Sequence, residues 1–464
     1  MVVLSSGGRA VRVIFLRVAR MAEVQLEHRL RKYEAPAESM AVVALDLAGV
    51  RAGNTLEFGT GTWSLPKLVL PGLLIRSAEG ATATFVPQSD RRWAAFLADG
   101  AHGLRVRDVA VARGESQQCS GFWIRNSLRP SISRVLITKA PGHGVHLGGC
   151  EDWLARDVEV NGSSNVAFDV AASPRGLAVG VSGRDAAWTV FNIDAADCRV
   201  LLCRAERGER CAFHANADRV RFEACEARDT PETGFAVENA AGISVTDCLT
   251  VDCGTSQKIG TSSGIVSGEV KEAEIGHNTI VGGAVFGLYV KGGGGRFEDN
   301  IVVGVRPGLA YRWFCWGGSI ERALAWDCEN FAGIVQNKCA SLAELREGQK
   351  SGVIEMKWIF TKALEADPRF VARQDGNYRL GEGSPARGAG SDGSDIGVRW
   401  SRVEELRALG AKAIVLRENA SRYAKLALES AGKTPAAAGA WLATAKALAP
   451  DAPGIPEAEK ALPK

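Results

Sequence analysis

Histidine, acidic and amide residues recur in the middle of the chain at intervals of 22 or 23 residues, with one longer step of 30. One series reads Trp123, His146, Asp169, Asn192, His214, Ala236, Val266, Tyr289 and Tyr311. A second series follows two positions later and reads Arg125, Gly148, Ala171, Asp194, Asn216, Glu238, Gly268, Lys291 and Trp313. If the period reflects a stack of equivalent strands, each series forms a column of side chains on one face. We call these series the first column and the second column.

Two carboxylates of the second column have a spacing that suits hydrolysis. Asp194 and Glu238 are two repeats apart, which places their backbones roughly 9–10 Å from each other if strands stack about 4.8 Å apart. This separation lies near the upper end of the roughly 6.5–9.5 Å found between the carboxyl groups of inverting glycosidases. One carboxylic acid would protonate the leaving oxygen while the other activates water. Asp169 could replace either partner.

Elimination or epimerisation at a uronate is the second candidate chemistry. It needs a cation for the carboxylate, a base for the C5 proton and an acid for the leaving oxygen. Lys291 or Arg312 supplies the cation, and the candidates for base and acid are His214, Lys291 and Tyr289. His214 and Lys291 are about three repeats apart, roughly 14 Å at the backbone. The site would therefore consist of Tyr289, Lys291, Tyr311 and Arg312, with His214 limited to binding.

The flanks of the two columns carry residues that suit a sugar chain. Aromatic faces pack against sugar rings, and cations or amides bind hydroxyl and carboxylate groups. The residues expected to contact substrate are Trp123, Arg125, Asn192, Asn216, Tyr311, Arg312 and Trp313, beside the catalytic candidates Asp169, Asp194, His214, Glu238, Tyr289 and Lys291. The alternative is that these polar residues only solvate the outer face of a sheet.

The elements that must position these residues are short strands. Each column residue lies beside apolar residues in cores such as Phe168-Asp-Val-Ala171, Phe191-Asn-Ile-Asp194 and Phe213-His-Ala-Asn216, in which the first and third residues point inward. No 3.6-residue pattern spans ten residues between 100 and 335, and the connections carry Gly, Asn and Asp. The period predicts an all-β fold, a single-stranded right-handed parallel β-helix with about three strands in each coil. Arg312 occupies a nominally inward position, so the regular phase is expected to fail there.

Segments at both ends of this region resemble those of a known family. The lead Ala52-Gly-Asn-Thr-Leu-Glu-Phe-Gly-Thr-Gly-Thr-Trp63 is similar to the entry of bacterial pectate-lyase-like β-helix proteins. Asp367-Pro-Arg-Phe370, Tyr378-Arg-Leu380, Ser384-Pro-Ala386 and Asp395-Ile-Gly397 resemble the closing segment of the same group, including its chondroitinase-B-like members. The resemblance covers about residues 45–400 and implies the fold. Family members include polysaccharide lyases, glycoside hydrolases, uronan epimerases and proteins without known activity, so it assigns no catalytic residue.

Composition divides the chain into three parts. We predict an N-terminal extension or cap at 1–44, the β-helix at 45–400 and a helical appendage at 401–464. Alanine fills 18 of the last 64 positions, a helix-forming composition. Pro435, Pro450, Pro453 and Pro456 divide it into two or three helices, which we interpret as a cap or, less favoured, a docking element.

Charge and hydropathy limit the partners. With 56 Lys and Arg against 53 Asp and Glu, the formal charge is +3 and no polybasic block is present, so nucleic acid and anionic membranes are not expected partners. No apolar run approaches the roughly 18 residues of a membrane span, and we identify no convincing export signal. The sequence predicts a monomer or small homo-oligomer that binds a polysaccharide, expected to contain uronates, and cleaves or modifies it by lyase, epimerase or inverting hydrolase chemistry. The alternative is a non-catalytic glycan-binding or scaffold protein.

Three further patterns receive structural interpretations. Cys203, Cys225 and Cys248 are spaced by 22 and 23, which favours a buried stack of small side chains over disulfides or a metal site. His143-Gly-Val-His146 is expected to supply turn and groove residues, not a zinc site. No cofactor is firmly predicted, although Asp169 with Asp194 admits a Ca²⁺ ion.

Overall fold

The computed structural model describes most of the chain. The described residues are 2–6, 9–14, 17–18, 43–44, 50–87, 94–113, 119–256, 262–283, 285–313, 317–334, 337–356, 359–431 and 434–462. They divide into two compact units, Met1–Trp400 and Ser401–Lys464.

The first unit is built of short strands. Its first half contains β1 (Val2–Ser6), β2 (Arg9–Ile14), β3 (Arg17–Val18), β4 (Val43–Ala44), β5 (Thr55–Phe58), β6 (Gly61–Ser64), β7 (Leu74–Ser77), β8 (Ala83–Phe85), β9 (Ala94–Asp99), β10 (Arg105–Val111), β11 (Ser120–Arg125), β12 (Ser131–Ala140), β13 (Val145–Gly148), β14 (Leu154–Ser163), β15 (Phe168–Ala171), β16 (Leu177–Val179), β17 (Ser182–Ala186) and β18 (Phe191–Asp194).

The second half continues with β19 (Arg199–Leu201), β20 (Arg204–Glu206), β21 (Cys211–Ala215), β22 (Arg221–Glu223), β23 (Glu226–Arg228), β24 (Thr233–Glu238), β25 (Ser244–Thr246), β26 (Leu249–Val251), β27 (Ser263–Gly268), β28 (Val270–Gly276), β29 (Thr279–Val281), β30 (Phe286–Val290), β31 (Gly293–Glu298), β32 (Ile301–Val303), β33 (Leu309–Trp313), β34 (Ser319–Glu321), β35 (Leu324–Trp326), β36 (Asn330–Ile334) and β37 (Asn337–Cys339). The helix α1 (Leu342–Ser351) and the strands β38 (Leu364–Glu365), β39 (Phe370–Ala372) and β40 (Asn377–Leu380) follow.

These strands stack as a parallel solenoid. Each regular coil places one strand in a sheet that we call the site sheet and two in a larger sheet, as β21, β22 and β23 do. Among the described residues the site sheet orders β9, β11, β13, β15, β18, β21, β24, β27, β30, β33 and β36 side by side, with β37 antiparallel at its end. At the other end, β1 pairs antiparallel with β5, and β4 pairs with β6. The predicted all-β parallel solenoid is therefore confirmed.

Inward aromatic side chains form the core beneath the site sheet. Phe191, Phe213 and Phe235 are fully buried, and their stacked rings have centroids 4.8 and 4.6 Å apart. The predicted inward positions from Phe122 to Val237 are all buried, so the alternation along the cores is confirmed. The cysteine stack is confirmed as well, because Cys203, Cys225 and Cys248 are buried free thiols.

The second unit is helical. The helix α2 (Trp400–Ser430) begins one residue before this unit and is kinked at Gly410, where φ is 69°. The helices α3 (Pro435–Leu448) and α4 (Ile455–Ala461) follow it. Ala420, Ala424, Ala427 and Ala458 pack in a small core around Leu442 and Ile455. Within the part of the chain that the structure describes, no helix has the length and apolar character needed to cross a membrane.

Candidate functional site

The register of the site sheet aligns the two columns. Trp123 pairs with His146, His146 with Asp169, Asp169 with Asn192, and Asn192 with His214. In the second column Ala171 pairs with Asp194, and Glu238 with Gly268. Adjacent members are therefore one strand apart, as the period predicted, and their side chains share the outer face of the sheet.

The predicted phase is wrong by one residue at β33. The structure pairs Tyr289 with Arg312, while Tyr311 and Trp313 pair with the inward Leu288 and Val290. Tyr311 and Trp313 are each only 1% exposed, and the Tyr311 hydroxyl lies within hydrogen-bond distance of the carbonyls of Asn300 and Leu324, at 2.9 and 2.8 Å. Burying two large aromatic rings is more favourable in free energy than leaving them in water, so Arg312 takes the outward position. Tyr311 and Trp313 cannot contact a substrate on this face.

A continuous series of hydrogen bonds connects four residues of the first column, and we call it the polar ladder: His146, Asp169, Asn192 and His214. The Asp169 carboxylate accepts from His146 Nδ1 at 2.6 Å through one oxygen and from Asn192 Nδ2 at 2.9 Å through the other. Asn192 Nδ2 also donates to Asp194 at 3.0 Å, and its Oδ1 lies 2.8 Å from His214 Nδ1. Because two carboxylates face the amide nitrogen, its oxygen must face His214, and His214 Nδ1 carries a proton. His214 Nε2 is left to exchange protons with the groove.

His214 lies between two carboxylates of the second column. Its Nδ1 is 3.9 Å from Asp194 Oδ1, and its Nε2 is 3.9 Å from Glu238 Oε2. The His214 interaction lowers the pKa of Glu238 below its ordinary value, against the opposing effect of burial and with help from the charges of Lys291 and Arg210. Glu238 is therefore ionised at neutral pH. The structure thus brings together three of the predicted catalytic candidates, Asp194, His214 and Glu238, and we call this group of candidates the catalytic cluster.

Lys291 acts on this cluster across a gap. Gly268 separates Glu238 from Lys291 in the second column, and a Cβ at Gly268 would lie 3.3 Å from the Glu238 side chain. The missing side chain leaves the space between the two charged groups open. Lys291 is exposed, and so are Arg125 and Asn216. His214 and Lys291 are roughly 14 Å apart at the backbone, and Glu238 lies between them and interacts with both.

A small apolar cluster follows His214 along the site sheet. Ala236 and Val266 point outward yet are 4% and 2% exposed, and they pack with Cys211 and Tyr289. Tyr289 also contacts Phe286, with ring centroids 4.7 Å apart. Ala236 and Val266 are therefore covered, and the half-buried Tyr289 is the ring of this cluster that remains accessible from the groove.

A second group of titratable residues surrounds Asp169 at the other end of the polar ladder. His143 Nδ1 lies 3.6 Å from Asp169 Oδ2, and the Trp123 ring packs on His146 with centroids 4.1 Å apart. Burial lowers the pKa of His143, against the attraction of Asp169. Burial tends to raise the pKa of Asp169. The hydrogen bonds from His146 and Asn192 and the charges of the two nearby imidazoles outweigh burial, so this pKa lies below its ordinary value.

The sequence alone did not place His143 in this group. Gly144 and Val145 both face inward, since a Cβ at Gly144 would meet the inward Val160 side chain, so strict alternation fails at the start of the strand. His143 consequently shares the outer face with His146 although three positions separate them. The signal that could have located it is the recurrence of Ser120, His143, Val166, Thr189 and Cys211, each two residues before a core.

The Asn192 amide lies between Asp169 and Asp194, the two candidate ligands for a Ca²⁺ ion. Asn192 Nδ2 donates to both Asp169 and Asp194, so a hydrogen-bond donor occupies the space that a shared cation would need. Oxygen ligands are what Ca²⁺ prefers, and an amide N–H provides none.

Comparisons with known proteins agree with the solenoid. Residues 120–304 match the family model described as right handed beta helix region. The chain folds as a right-handed parallel β-helix. The predicted resemblance to pectate-lyase-like β-helix proteins is confirmed at the level of fold, and the sequence matches none of the curated proteins.

Several solved structures are similar to this chain at low sequence identity. The catalytic domain of a GH87 α-1,3-glucanase in complex with tetrasaccharides is 10% identical, with a TM-score of 0.47 over 73% of this chain and 70% of that one. Pectate lyase Pel9A is 12% identical, with a TM-score of 0.40 over 76% and 89%. PfbA, a surface adhesin of Streptococcus pneumoniae, is 10% identical, with a TM-score of 0.39 over 62% and 85%. At these identities the likeness concerns the fold alone.

Proposed function

We propose that this β-helix protein binds a polysaccharide along the outer face of the site sheet and hydrolyses it at the catalytic cluster. The observation that carries the proposal is His214 placed 3.9 Å from Asp194 on one side and from Glu238 on the other. A surface that only needs solvation has no requirement for an imidazole held between two carboxylates. Proton transfer to and from a glycosidic bond requires such groups.

The surroundings suggest different roles for the two carboxylates. Glu238 has a lowered pKa and is ionised, so it serves as the base that activates water. Asp194 lies two strands away, roughly 9–10 Å at the backbone, and supplies the proton for the leaving oxygen. His214 faces both groups and exchanges protons through Nε2, because its Nδ1 proton is committed to Asn192.

Charge also indicates the sugar bound at the point of cleavage. The Glu238 carboxylate, joined by Asp194 as it gives up its proton, stabilises the positive charge that develops in an oxocarbenium-like transition state, whereas this negative charge repels a uronate carboxylate. A neutral sugar is therefore expected over Asp194, His214 and Glu238 at the point of cleavage. Uronates are better placed further along the chain of sugars, where Lys291 and Arg312 provide positive charge. Trp123 and Tyr289 offer aromatic surface at either end of this stretch.

The test combines product analysis with two variants. Purified protein is incubated with neutral and uronate polysaccharides while new reducing ends and the ultraviolet absorbance of unsaturated uronates are followed. We expect reducing ends without absorbance, and loss of at least about 10²-fold in rate for both Asp194→Asn and Glu238→Gln. An aryl glycoside whose leaving group needs no proton should rescue Asp194→Asn but not Glu238→Gln. Glu274→Gln, an exposed residue of β28, is the matched control.

Elimination is the second candidate because a specific group of residues supports it. Tyr289 and Arg312 pair in adjacent strands, and Lys291 follows Tyr289 by two positions, so a phenol that can serve as base or acid shares one end of the face with two cations. Absorbance together with reducing ends would move the reaction to these residues and contradict the hydrolase proposal. Glycan binding without any product would make the protein a non-catalytic binder.

A further inference from the structure

We infer that His143, His146 and Asp169 form a binding site for a divalent transition metal, with Zn²⁺ as the preferred ion. One ligand atom from each residue lies within 4.8 Å of the other two. Two imidazole nitrogens and one carboxylate oxygen are a donor set that Zn²⁺ accepts, leaving a fourth position open. The inference does not depend on the proposed hydrolysis, since the catalytic cluster shares none of these ligands.

An unsatisfied atom points to a missing ligand. His143 Nδ1 is buried and has no hydrogen-bond partner among the described residues, although it lies 3.6 Å from Asp169 Oδ2. A buried polar atom without a partner loses its hydrogen bonds to water without replacement, so native structures rarely keep one without a reason. An ion between His143, His146 and Asp169 would give this nitrogen its partner.

Two of the three distances between ligand atoms need only a small adjustment. Tetrahedral bonds of roughly 2.0–2.2 Å place ligand atoms about 3.4 Å apart. The 3.6 Å separation of His143 Nδ1 from Asp169 Oδ2 already fits, and the 2.6 Å separation of His146 Nδ1 from the same oxygen would open by less than about 1 Å. The metal would replace the proton that His146 and Asp169 now share, so binding releases a proton.

Neighbouring residues hold the three ligands in place. Asn192 donates to the second oxygen of Asp169 at 2.9 Å, and the Asn165 amide lies 3.2 Å from His143 Nε2. Once Nδ1 binds a metal, Nε2 carries the proton, and the Asn165 amide turns its oxygen to accept it. Trp123 packs on the His146 ring. A Cβ at position 148 would lie 2.9 Å from His146 Nε2, so Gly148 leaves the room that this ring needs.

The donor set distinguishes the ion from Ca²⁺. Imidazole nitrogens are poor ligands for Ca²⁺, which takes six to eight oxygens, whereas they suit Zn²⁺ and Co²⁺. Three protein ligands leave one position of a tetrahedral ion open. It would take water or a sugar hydroxyl.

The experiment measures metal binding directly. Tag-free protein, freed of metal with a chelator, is titrated with Zn²⁺ in a calorimeter and with Co²⁺ in a visible spectrometer, which reports the ligand field. We expect one equivalent of each ion. His146→Ala and Asp169→Asn should weaken binding by more than about 100-fold, because even outer-shell changes cost 10–100-fold. Asn192→Leu, an outer-shell change, should weaken it by about 10–100-fold.

Controls keep the result open to contradiction. His214→Gln changes the histidine that lies two strands beyond Asp169 in the same column, and this variant should still bind one equivalent with unchanged affinity. Circular dichroism establishes that each variant is folded; if the ligand variants fail to fold, the wild-type Co²⁺ spectrum and stoichiometry decide. Absence of saturable Zn²⁺ and Co²⁺ binding, a Ca²⁺ response without a Zn²⁺ response, or equal loss in His214→Gln would each overturn the site.

Discussion

His214 owes its role to Asn192, a residue with no acid–base chemistry of its own. The Asn192 amide nitrogen serves two carboxylates and thereby turns its oxygen toward His214. This arrangement fixes the tautomer of His214 and separates the two ends of the polar ladder, one beside Trp123 and one beside Glu238. A single amide thus keeps two groups of titratable residues in fixed relation.

At the scale of single residues, we expect the charge of Lys291 to lower the pKa of Glu238. The pKa of Glu238 lies below its ordinary value chiefly through His214, with Lys291 as a further cause, so the carboxylate form persists until the pH falls through this lowered pKa. Lys291→Met removes one of the lowering charges and should move the titration of Glu238 upward in pH. The titration is measured by carboxyl ¹³C NMR, assigned by comparison with Glu238→Gln, and by the acid limb of kcat/KM.

The matched control for this change is Lys271→Met, since Lys271 is exposed on β28 in the larger sheet. It should leave the Glu238 titration where it is in the wild type. An unchanged or lower pKa of Glu238 in Lys291→Met would show that Lys291 does not act across Gly268.

At the scale of elements, the sequence predicted the register of most site strands because the cores alternate. Phe191, Phe213 and Phe235 each begin a core, and the structure pairs them as the 22-residue spacing requires. The slip at β33 arose because Ala310, Tyr311 and Trp313 are all compatible with burial, so hydropathy could not select the phase. Only packing decided it. Side-chain contacts such as His143 with Asp169 depend on strand corners that the period does not show.

One such corner is tested by adding a single methyl group. A Cβ at Gly144 would lie 2.4 Å from the Ala167 carbonyl oxygen and from the Val160 side chain, and the backbone oxygen cannot move away. Gly144→Ala should therefore lower the free energy of unfolding by about 1–3 kcal/mol. Gly59→Ala is the control, because a Cβ there meets nothing within 4 Å. Thermal denaturation compares the two, and equal midpoints would contradict the predicted crowding at the corner.

At the scale of the first unit, a distant segment is tied back onto the solenoid by buried carboxylates. Asp299 is fully buried; it accepts from Arg322 at 2.9 Å and from the Ser391 hydroxyl at 2.7 Å. Asp247, with a side chain 1% exposed, is paired with Arg399 through two contacts of 2.9 and 2.6 Å. Ile396 and Ala386 pack against Ile301, Val303 and Leu324 beside these pairs. The segment 384–399 therefore covers part of the larger sheet, in the region whose motifs resembled a closing segment.

Breaking one pair should loosen this cover. Arg399→Met leaves the Asp247 carboxylate buried without its partner, and such a loss costs about 3–5 kcal/mol, of which we expect the lower end because Arg399 is partly exposed. The effect should be local, since the core phenylalanine stack lies under the other sheet. Hydrogen exchange should thus accelerate in 384–399 and in β28 and β29, while β18, β21 and β24 keep their protection. Arg387→Met, an exposed residue of the same segment, should leave exchange unchanged. Uniform acceleration throughout the solenoid would mean instead that the cover and the coils unfold as one cooperative unit.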